Sequence, residues 1–499
     1  MQRAELYDYQ QQDLELLFEK LAGHPGGKAR LLYQLATGGG KTVVFSEIAR
    51  RFIELTGKKV IVLTHRIELC RQTTAALKGR GVRNKVIDST VKKLSRDSYN
   101  CYVAMVETLK RRIRDGLVST ADVGLVIVDE AHHNSFQKLL GRFENAAVVG
   151  VTATPFSSDA ELPMNRFYQE LILGQDISSL IERGFLARPK IHSYDVELNS
   201  LATGIKGDFT VNTSDALYGS QVMLDLLLHA YRSHSLGKKT LIFNNGIFSS
   251  KMVQDAFTKA GHAIRHLDNT TSAEERKQIL DWFKRTKGAI LTSVSILTTG
   301  FDEPSIQSVI LYRATTSLTL FHQMVGRGAR RLPGKKTFSI IDLGNNNERF
   351  GNWNSELDWK HIFEHPEIYH QSMQQAERDT HVIPLEMRSA FANSLEVAFD
   401  VQAAYRQCVD SGLKAKLVIR DSIRQHALMC VDNAEDEVQA MKLIALLDRE
   451  IDYRIKQYGK CLGKVTRDYL KWLGEDYRSR LKKLVHRILA KRKLMAVAS

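Results

Sequence analysis

The stretch LLYQLATGGGKTVVFSEIARRFIEL, residues 31–55, holds three local structures in a row. A strand-like run, LLYQL, leads into the glycine-rich turn of LATGGGKT (35–42), and a helical pattern follows from Val43. Val44, Ile48, Phe52 and Leu55 fall on one stripe of that helix. A triphosphate needs many aligned N–H donors with no Cβ in the way, and glycines at a helix N-terminus supply both. Thr37, Gly38, Gly39 and Gly40 would form such a cradle. Lys41 would then reach the β and γ phosphates, and the Thr42 hydroxyl would ligate Mg²⁺. The strict Gly-x-x-x-x-Gly-Lys-Thr spacing fails, because Leu35 stands where its first glycine belongs. Taken alone, the turn also reads as a structural helix cap.

Outward from this stretch, short β-branched runs alternate with helical patterns: KKVIVLT (58–64), CYVAMV (101–106), VGLVIVD (123–129) and AAVVGVT (146–152). Such runs suit strands buried on both faces of a parallel sheet. The pattern returns in TLIFNN (240–245), GAILTSV (288–294), SVILYRA (308–314) and FSIIDL (338–343). The expected fold is α/β, with two tandem doubly wound parallel-sheet domains followed by a helical C-terminal domain. The expected boundaries are 1–184, 185–350 and 351–499. Residues 156–235 read as connections, the Asn345–Asn347 run as a loop, and Met441, Ile444, Ile451, Ile455 and Tyr458 as an amphipathic helical stripe.

The 499 residues allow about three domains at roughly 150 residues each. Five cysteines, Cys70, Cys101, Cys408, Cys430 and Cys461, stand singly and without metal-ligand spacing, which suits a reducing compartment. With no signal-like start and no apolar run near membrane length, the reading is a cytoplasmic protein that engages no membrane. HIFEH (361–365) has a zinc-peptidase spacing, but Pro366 disfavours helical geometry at His365, so a helix end is the better reading. Lys and Arg outnumber Asp and Glu by 71 to 56, a net charge of +15 that points to a polyanionic partner.

After VGLVIV come Asp129, Glu130, Ala131 and His132, two carboxylates at the carboxyl end of a strand. Doubly wound sheets place their ligands there. Asp129 can bind Mg²⁺ while Glu130 orients and deprotonates an attacking water. An acidic pair capping the next helix is the plainer alternative. TATP (152–155), TTGFDEP (298–304) and QMVGRGARR (323–331) complete the set.

This ordered constellation, over residues 6–343, resembles the superfamily-two helicases and translocases of the DEAH-box kind, with two RecA-like domains. The resemblance implies an ATP hydrolase with ATP and Mg²⁺ as cofactors. It makes LYDYQ (6–10) the adenine-reading segment, with the Gln10 amide facing the base edge, and adds Gly300 and Asp302 to the nucleotide site. Arg327 and Arg330, three apart on an expected helix, would be arginine fingers for the γ-phosphate. Thr64, His65, Arg66, Thr108, Thr292 and Thr299 become candidate nucleic-acid contacts, and His132, Thr152, Thr154 and Gln323 coupling residues. Singly, each threonine reads equally as a strand or capping residue.

Within the superfamily, TTGFDEP and VGRGARRLPGK are most similar to the group of RadD-type repair helicases, DNA translocases and restriction-enzyme motor subunits. That similarity implies DNA rather than RNA as partner and 3′-to-5′ movement, with a monomer sufficient for the motor. RadD-type proteins carry a cysteine-rich region after the motor, which this chain lacks. RNA translocation, and an ATP-switched clamp within a repair or defence complex, are the alternatives. Residues 451–499 carry 14 Lys or Arg against 4 Asp or Glu. With Tyr453, Tyr458, Tyr469, Trp472 and Tyr477 interleaved, they read as a second grip on nucleic acid or as a solvated amphipathic helix.

Overall fold

The computed structural model describes residues 5–24, 28–88, 99–157, 159, 161–198, 200–204, 208–294, 296–297, 301–371, 390–391, 393–394, 399–462 and 465–498. It divides into two compact units, residues 1–378 and 379–499.

The first unit holds two parallel sheets. Helix α1 (Asp8–Ala22) precedes β1 (Arg30–Gln34), α2 (Lys41–Thr56), β2 (Lys59–Thr64), α3 (Ile67–Gly79), β3 (Asn84–Ile87), β4 (Cys101–Met105) and α4 (Val106–Arg114). Then follow β5 (Val123–Asp129), α5 (Gln137–Leu140), β6 (Ala147–Thr152), β7 (Glu170–Leu173) and α6 (Ile177–Glu182). The strand order is β3-β4-β2-β5-β6-β1-β7. Its register sets Gln34 beside Thr152 and Asp129 beside Val151, so the loops after β1, β5 and β6 emerge together at one edge. That edge is the carboxyl end of the sheet, where the motifs of this half lie.

The second sheet is built from β8 (Arg188–Ser193), α7 (Val211–Tyr218), α8 (Gln221–His234), β9 (Thr240–Asn244), α9 (Ile247–Lys259), β10 (Ile264–Leu267) and α10 (Ala273–Arg285). It continues through β11 (Ile290–Val294), β12 (Ser308–Tyr312), α11 (Leu318–Gly326), β13 (Thr337–Asp342) and α12 (Asn346–Phe350), with strand order β10-β11-β9-β12-β13-β8. The central strands of both sheets are buried along almost their whole length, as their apolar runs require.

Four expectations need correction. Residues 156–235 are more than connections: they supply edge strands β7 and β8, and Leu224, Leu227 and Tyr231 of α8 pack on the second sheet's core. Asn345–Asn347 open a helix rather than a loop, because Asn346 and Asn347 are buried and donate to the Asp342 carboxylate. Residues 351–371 belong to the motor unit. Trp353 is fully buried, at 6.1 Å from the Phe338 ring, and α13 (Trp359–Glu364) returns to the first sheet, where Phe363 is buried and Asn165 Nδ2 donates to Glu364 O. On α2 the buried face is Val44, Phe45, Ile48 and Ala49, while Leu55 is exposed.

The second unit is helical: Val401–Asp410, Lys416–Asp432, Glu437–Leu446, Asp448–Leu462 and Arg467–Ala498 are its helices among the described residues. Its core includes Ile444, Ile451, Ile455 and Tyr458, with Met441 at the margin. No helix among the described residues is long and apolar enough to cross a membrane.

Candidate active site

The phosphate loop runs from Thr37 to Lys41 between β1 and α2. Gly38 and Gly40 have φ of +93° and +89°, a conformation in which a side chain would be strained, and Gly40 caps α2. The first N–H groups of α2 therefore open toward the loop, as an anion cradle requires. Lys41 Nζ donates to Leu35 O at 3.3 Å. Burial and the nearby Arg327 and Arg330 lower the Lys41 pKa, while Glu130 and Asp129 oppose them. Thr42 stands in the first turn of α2, partly exposed.

Asp129 ends β5, and burial together with the adjacent Glu130 pushes its pKa up to about 7. Glu130 adopts φ +53°, rare for a non-glycine residue, and its buried Oε2 accepts no hydrogen bond among the described residues. Asp129 accepts a backbone hydrogen bond from Glu130, Glu130 Oε2 accepts none among the described residues, and the charges of both act on Lys41. A cation fits such a place.

The coupling residues come together. His132 Nδ1 lies 2.9 Å from Thr152 Oγ1, which donates to Thr154 O at 3.0 Å. With the Nδ1 proton used there, His132 Nε2 can accept from Gln323 Nε2 at 3.4 Å, across the cleft. Thr154 Oγ1 donates to Thr319 Oγ1 at 2.9 Å, a second bond between the sheets. Gly326 lies so close to the phosphate loop that a Cβ there would sit 2.4 Å from Thr37 Cγ2. Only glycine lets α11 approach this near.

Arg327 and Arg330 share no helix. α11 ends at Gly326, Arg327 is its C-cap, and Arg330 lies in a β-bridge to Leu186. Both guanidinium groups still act on the site, since each lowers the Lys41 pKa and Glu130 acts on Arg327. Arg327 is pulled down to about 10, mainly by burial. Arg330 pairs with Asp302, so Asp302 holds a finger here. Lys335, buried and not foreseen as a site residue, donates to Pro304 O, Gly328 O and Arg330 O at 2.9, 2.7 and 2.7 Å. It fixes the arginine loop against the strand loop preceding it.

Gln10 is also committed. Its Oε1 accepts from Tyr7 N at 3.1 Å, completing a capping box, and its Nε2 donates to Gly39 O at 3.2 Å. In this structure Gln10 therefore ties α1 to the phosphate loop rather than presenting a free amide. The exposed surface beside it is aromatic: the Tyr7 ring lies 4.5 Å from Phe185, with Arg183 over the Phe185 ring at 5.2 Å. Nothing in the motif set singled out Phe185 or Arg183.

Of the candidate nucleic-acid contacts, Thr64 and Thr292 are fully buried. Thr64 Oγ1 bonds Cys70 Sγ at 2.9 Å, and Thr292 Oγ1 accepts from Asn244 Nδ2 at 2.7 Å and lies 2.9 Å from Ser250 Oγ. Their hydroxyls are engaged within the protein. Arg66 Nη1 donates to Ile296 O at 3.3 Å, His65 is partly exposed, and Thr108 is half-buried in the first turn of α4. Thr299 and Gly300 lie outside the described residues.

Two family models match in the order the two sheets follow: "Type III restriction enzyme, res subunit" over residues 3–157, and "Helicase conserved C-terminal domain" over residues 221–331. The chain carries a superfamily-two helicase core. This helicase core is an ATP-hydrolysing module. The Saccharomyces cerevisiae protein described as an ATP-dependent helicase, IRC3, is 30% identical over 365 residues, 68% of this chain and 51% of its own length. The chain thus spans about half of that curated relative. The fragment structure described as an HsdR subunit of a type I restriction enzyme from Vibrio vulnificus aligns with a TM-score of 0.55 at 24% identity, covering 69% of this chain and 65% of that one. The type ISP restriction-modification enzyme LlaBIII, solved bound to DNA, aligns at 0.54 and 14% identity over 98% of this chain and 42% of its own. These likenesses show the shared helicase fold.

Proposed function

We propose that the chain is an ATP-driven DNA helicase or translocase, moving 3′-to-5′ and able to act as a monomer. The observation that carries this reading is the two-sided site: Lys41, Asp129 and Glu130 from one sheet share their field with Arg327 and Arg330 from the other. Nucleotide bound between them would hold the sheets together, and its loss would release Gln323 from His132 and Thr319 from Thr154. Such a cycle is mechanical.

The chain's own groups divide the work. Glu130, whose Oε2 has no donor among the described residues, takes the proton of the attacking water. Lys41 and the first amides of α2 hold the phosphates, and Arg327 meets the charge that develops on the outgoing one. Thr42 and Asp129 would hold Mg²⁺, which neutralises phosphate charge when bound.

DNA is preferred on the likeness of TTGFDEP and GRGARR to the DNA-translocating group. The tail supplies a weaker second contact. Tyr458 and Tyr477 are buried in the helical core, and Arg478, Arg480 and Arg492 pair with Asp448, Asp476 and Asp432. Lys482, Lys483 and Arg487 remain as exposed cations for phosphate, with Trp472 and Tyr469 as exposed rings. The five free cysteines fit a reducing, cytoplasmic setting.

Steady-state ATP hydrolysis by the full chain, with single- and double-stranded DNA and RNA in parallel at fixed salt, tests the reading. Strongest stimulation by DNA is expected. Strongest stimulation by RNA would reassign the track, and no stimulation by any of the four would leave a switch in place of a motor.

A further inference from the structure

Three imidazoles pack in a row beside the catalytic carboxylates. The His65 and His133 ring centroids lie 4.1 Å apart, and those of His133 and His132 lie 4.4 Å apart, each pair tilted by 50° or 43°. His65 follows β2 directly, beside Arg66, whose guanidinium reaches Ile296 O of the second sheet. At the other end, His132 Nδ1 is 3.5 Å from Glu130 Oε2 and 2.9 Å from Thr152 Oγ1. The row thus runs from the candidate strand track to the hydrolytic carboxylate without a gap. His133 is its middle member and belongs to no motif recognised from the sequence.

Both nitrogens of His65 are buried with no hydrogen-bond partner among the described residues, which is costly for a ring fixed only by packing. Burial also drives the His65 pKa down to about 3 and lowers those of His133 and His132. Neutral rings pack without like-charge repulsion, so the row can pass a displacement as packed side chains do.

We propose that His133 is a positioning residue: seated between His65 and His132, it converts strand occupancy at His65 and Arg66 into the placement of Glu130. This rests on the motor reading above. The packing of the ring carries the effect, because His133 touches both neighbours.

The test is hydrolysis by the full chain with and without single-stranded poly-dT, comparing wild type, His133→Ala and His133→Phe. His133→Ala should lose about tenfold of the DNA stimulation of kcat, a coupling typical of linked sites, with unstimulated turnover and KM for ATP near wild type. His133→Phe, which keeps a planar ring, should recover most of the stimulation. Full stimulation of His133→Ala overturns the proposal, as does a His133→Phe no better than His133→Ala, or an equal loss of stimulated and unstimulated turnover. Wild type unstimulated by any nucleic acid would instead sink the motor reading, and the coupling with it.

Discussion

At the end of β5, Asp129 and Glu130 are buried with too few donors: one has its pKa raised to about 7, and the other leaves an oxygen without a hydrogen bond among the described residues. At the carboxyl ends of the second sheet, the buried carboxylates are clothed. Asp268 accepts from Thr270 N at 2.8 Å, Thr270 Oγ1 at 2.6 Å and Thr271 N at 3.2 Å, and lies 2.9 Å from His266 Nε2. Asp342 accepts from Gly344 N, Asn346 Nδ2, Asn347 N and Asn347 Nδ2. The two sheets share a parallel build, yet the first keeps its acids short of partners and the second satisfies them. Carboxylates left wanting a cation and a proton are poised for chemistry; carboxylates engaged at both oxygens are structure.

The strongest way to break this contrast is to remove what the second sheet lends. Arg327→Ala should lower ATP turnover by about 10³-fold, the scale of an arginine finger, with ATP binding retained. Turnover near wild type would remove Arg327 from the site. Glu130→Gln should cost about 10²-fold or more in kcat while still binding ATP, as loss of a general base does. An unchanged rate would place the base elsewhere.

Stability gives a subtler comparison, of opposite sign at Asp268 and Asp129. Asp268 has a folded pKa depressed below the carboxylate range, with burial opposed by its Thr270 and His266 hydrogen bonds. Its stabilisation is present above the unfolded value near 4 and is lost as pH falls through the folded one. Asp268→Ala should cost on the order of 3 kcal/mol at neutral pH, read by denaturant unfolding. Asp129 is raised instead, so in ATP-free protein its ionised form weakens the fold as pH climbs from about 4 through 7. Asp129→Asn should therefore raise the melting temperature more at pH 8 than at pH 5. A gain that does not depend on pH would contradict the burial argument.

The smallest effect belongs to the helical unit. Lys482→Glu with Lys483→Glu should weaken DNA binding and reduce its salt dependence by about two phosphate contacts, leaving unstimulated ATP hydrolysis alone. An unchanged salt slope would make the basic helix a solvated face.

The strands read from apolar runs were the central ones, LLYQL, KKVIVLT, VGLVIVD, TLIFNN and their neighbours, because burial on both faces demands continuous apolar sequence. The strands missed, β3, β7, β8 and β10, are the four sheet edges. Their half-exposed patterns, as in RPKIHS of β8, leave no such run. Sequence was likewise blind to the internal partners of Thr64 and Thr292, the candidate nucleic-acid contacts. Motif spacing puts a hydroxyl at a strand end, but only the packing of Cys70, Asn244 and Ser250 shows which way it bonds.

What the sequence determined by itself was the chemistry along the chain: a glycine cradle followed by Lys41 and Thr42, two acids closing an apolar strand, and arginines near the end of the second half. Those signals are local, since each needs only a few adjacent residues in one strand–loop–helix context. Tertiary structure alone decided what those groups lack or share. It left Glu130 Oε2 without a donor among the described residues, brought Gly326 against Thr37, took the Gln10 amide for the phosphate loop, and set His133 between His65 and His132. Desolvation and hydrogen-bond satisfaction depend on groups far apart in sequence, and no local pattern encodes them.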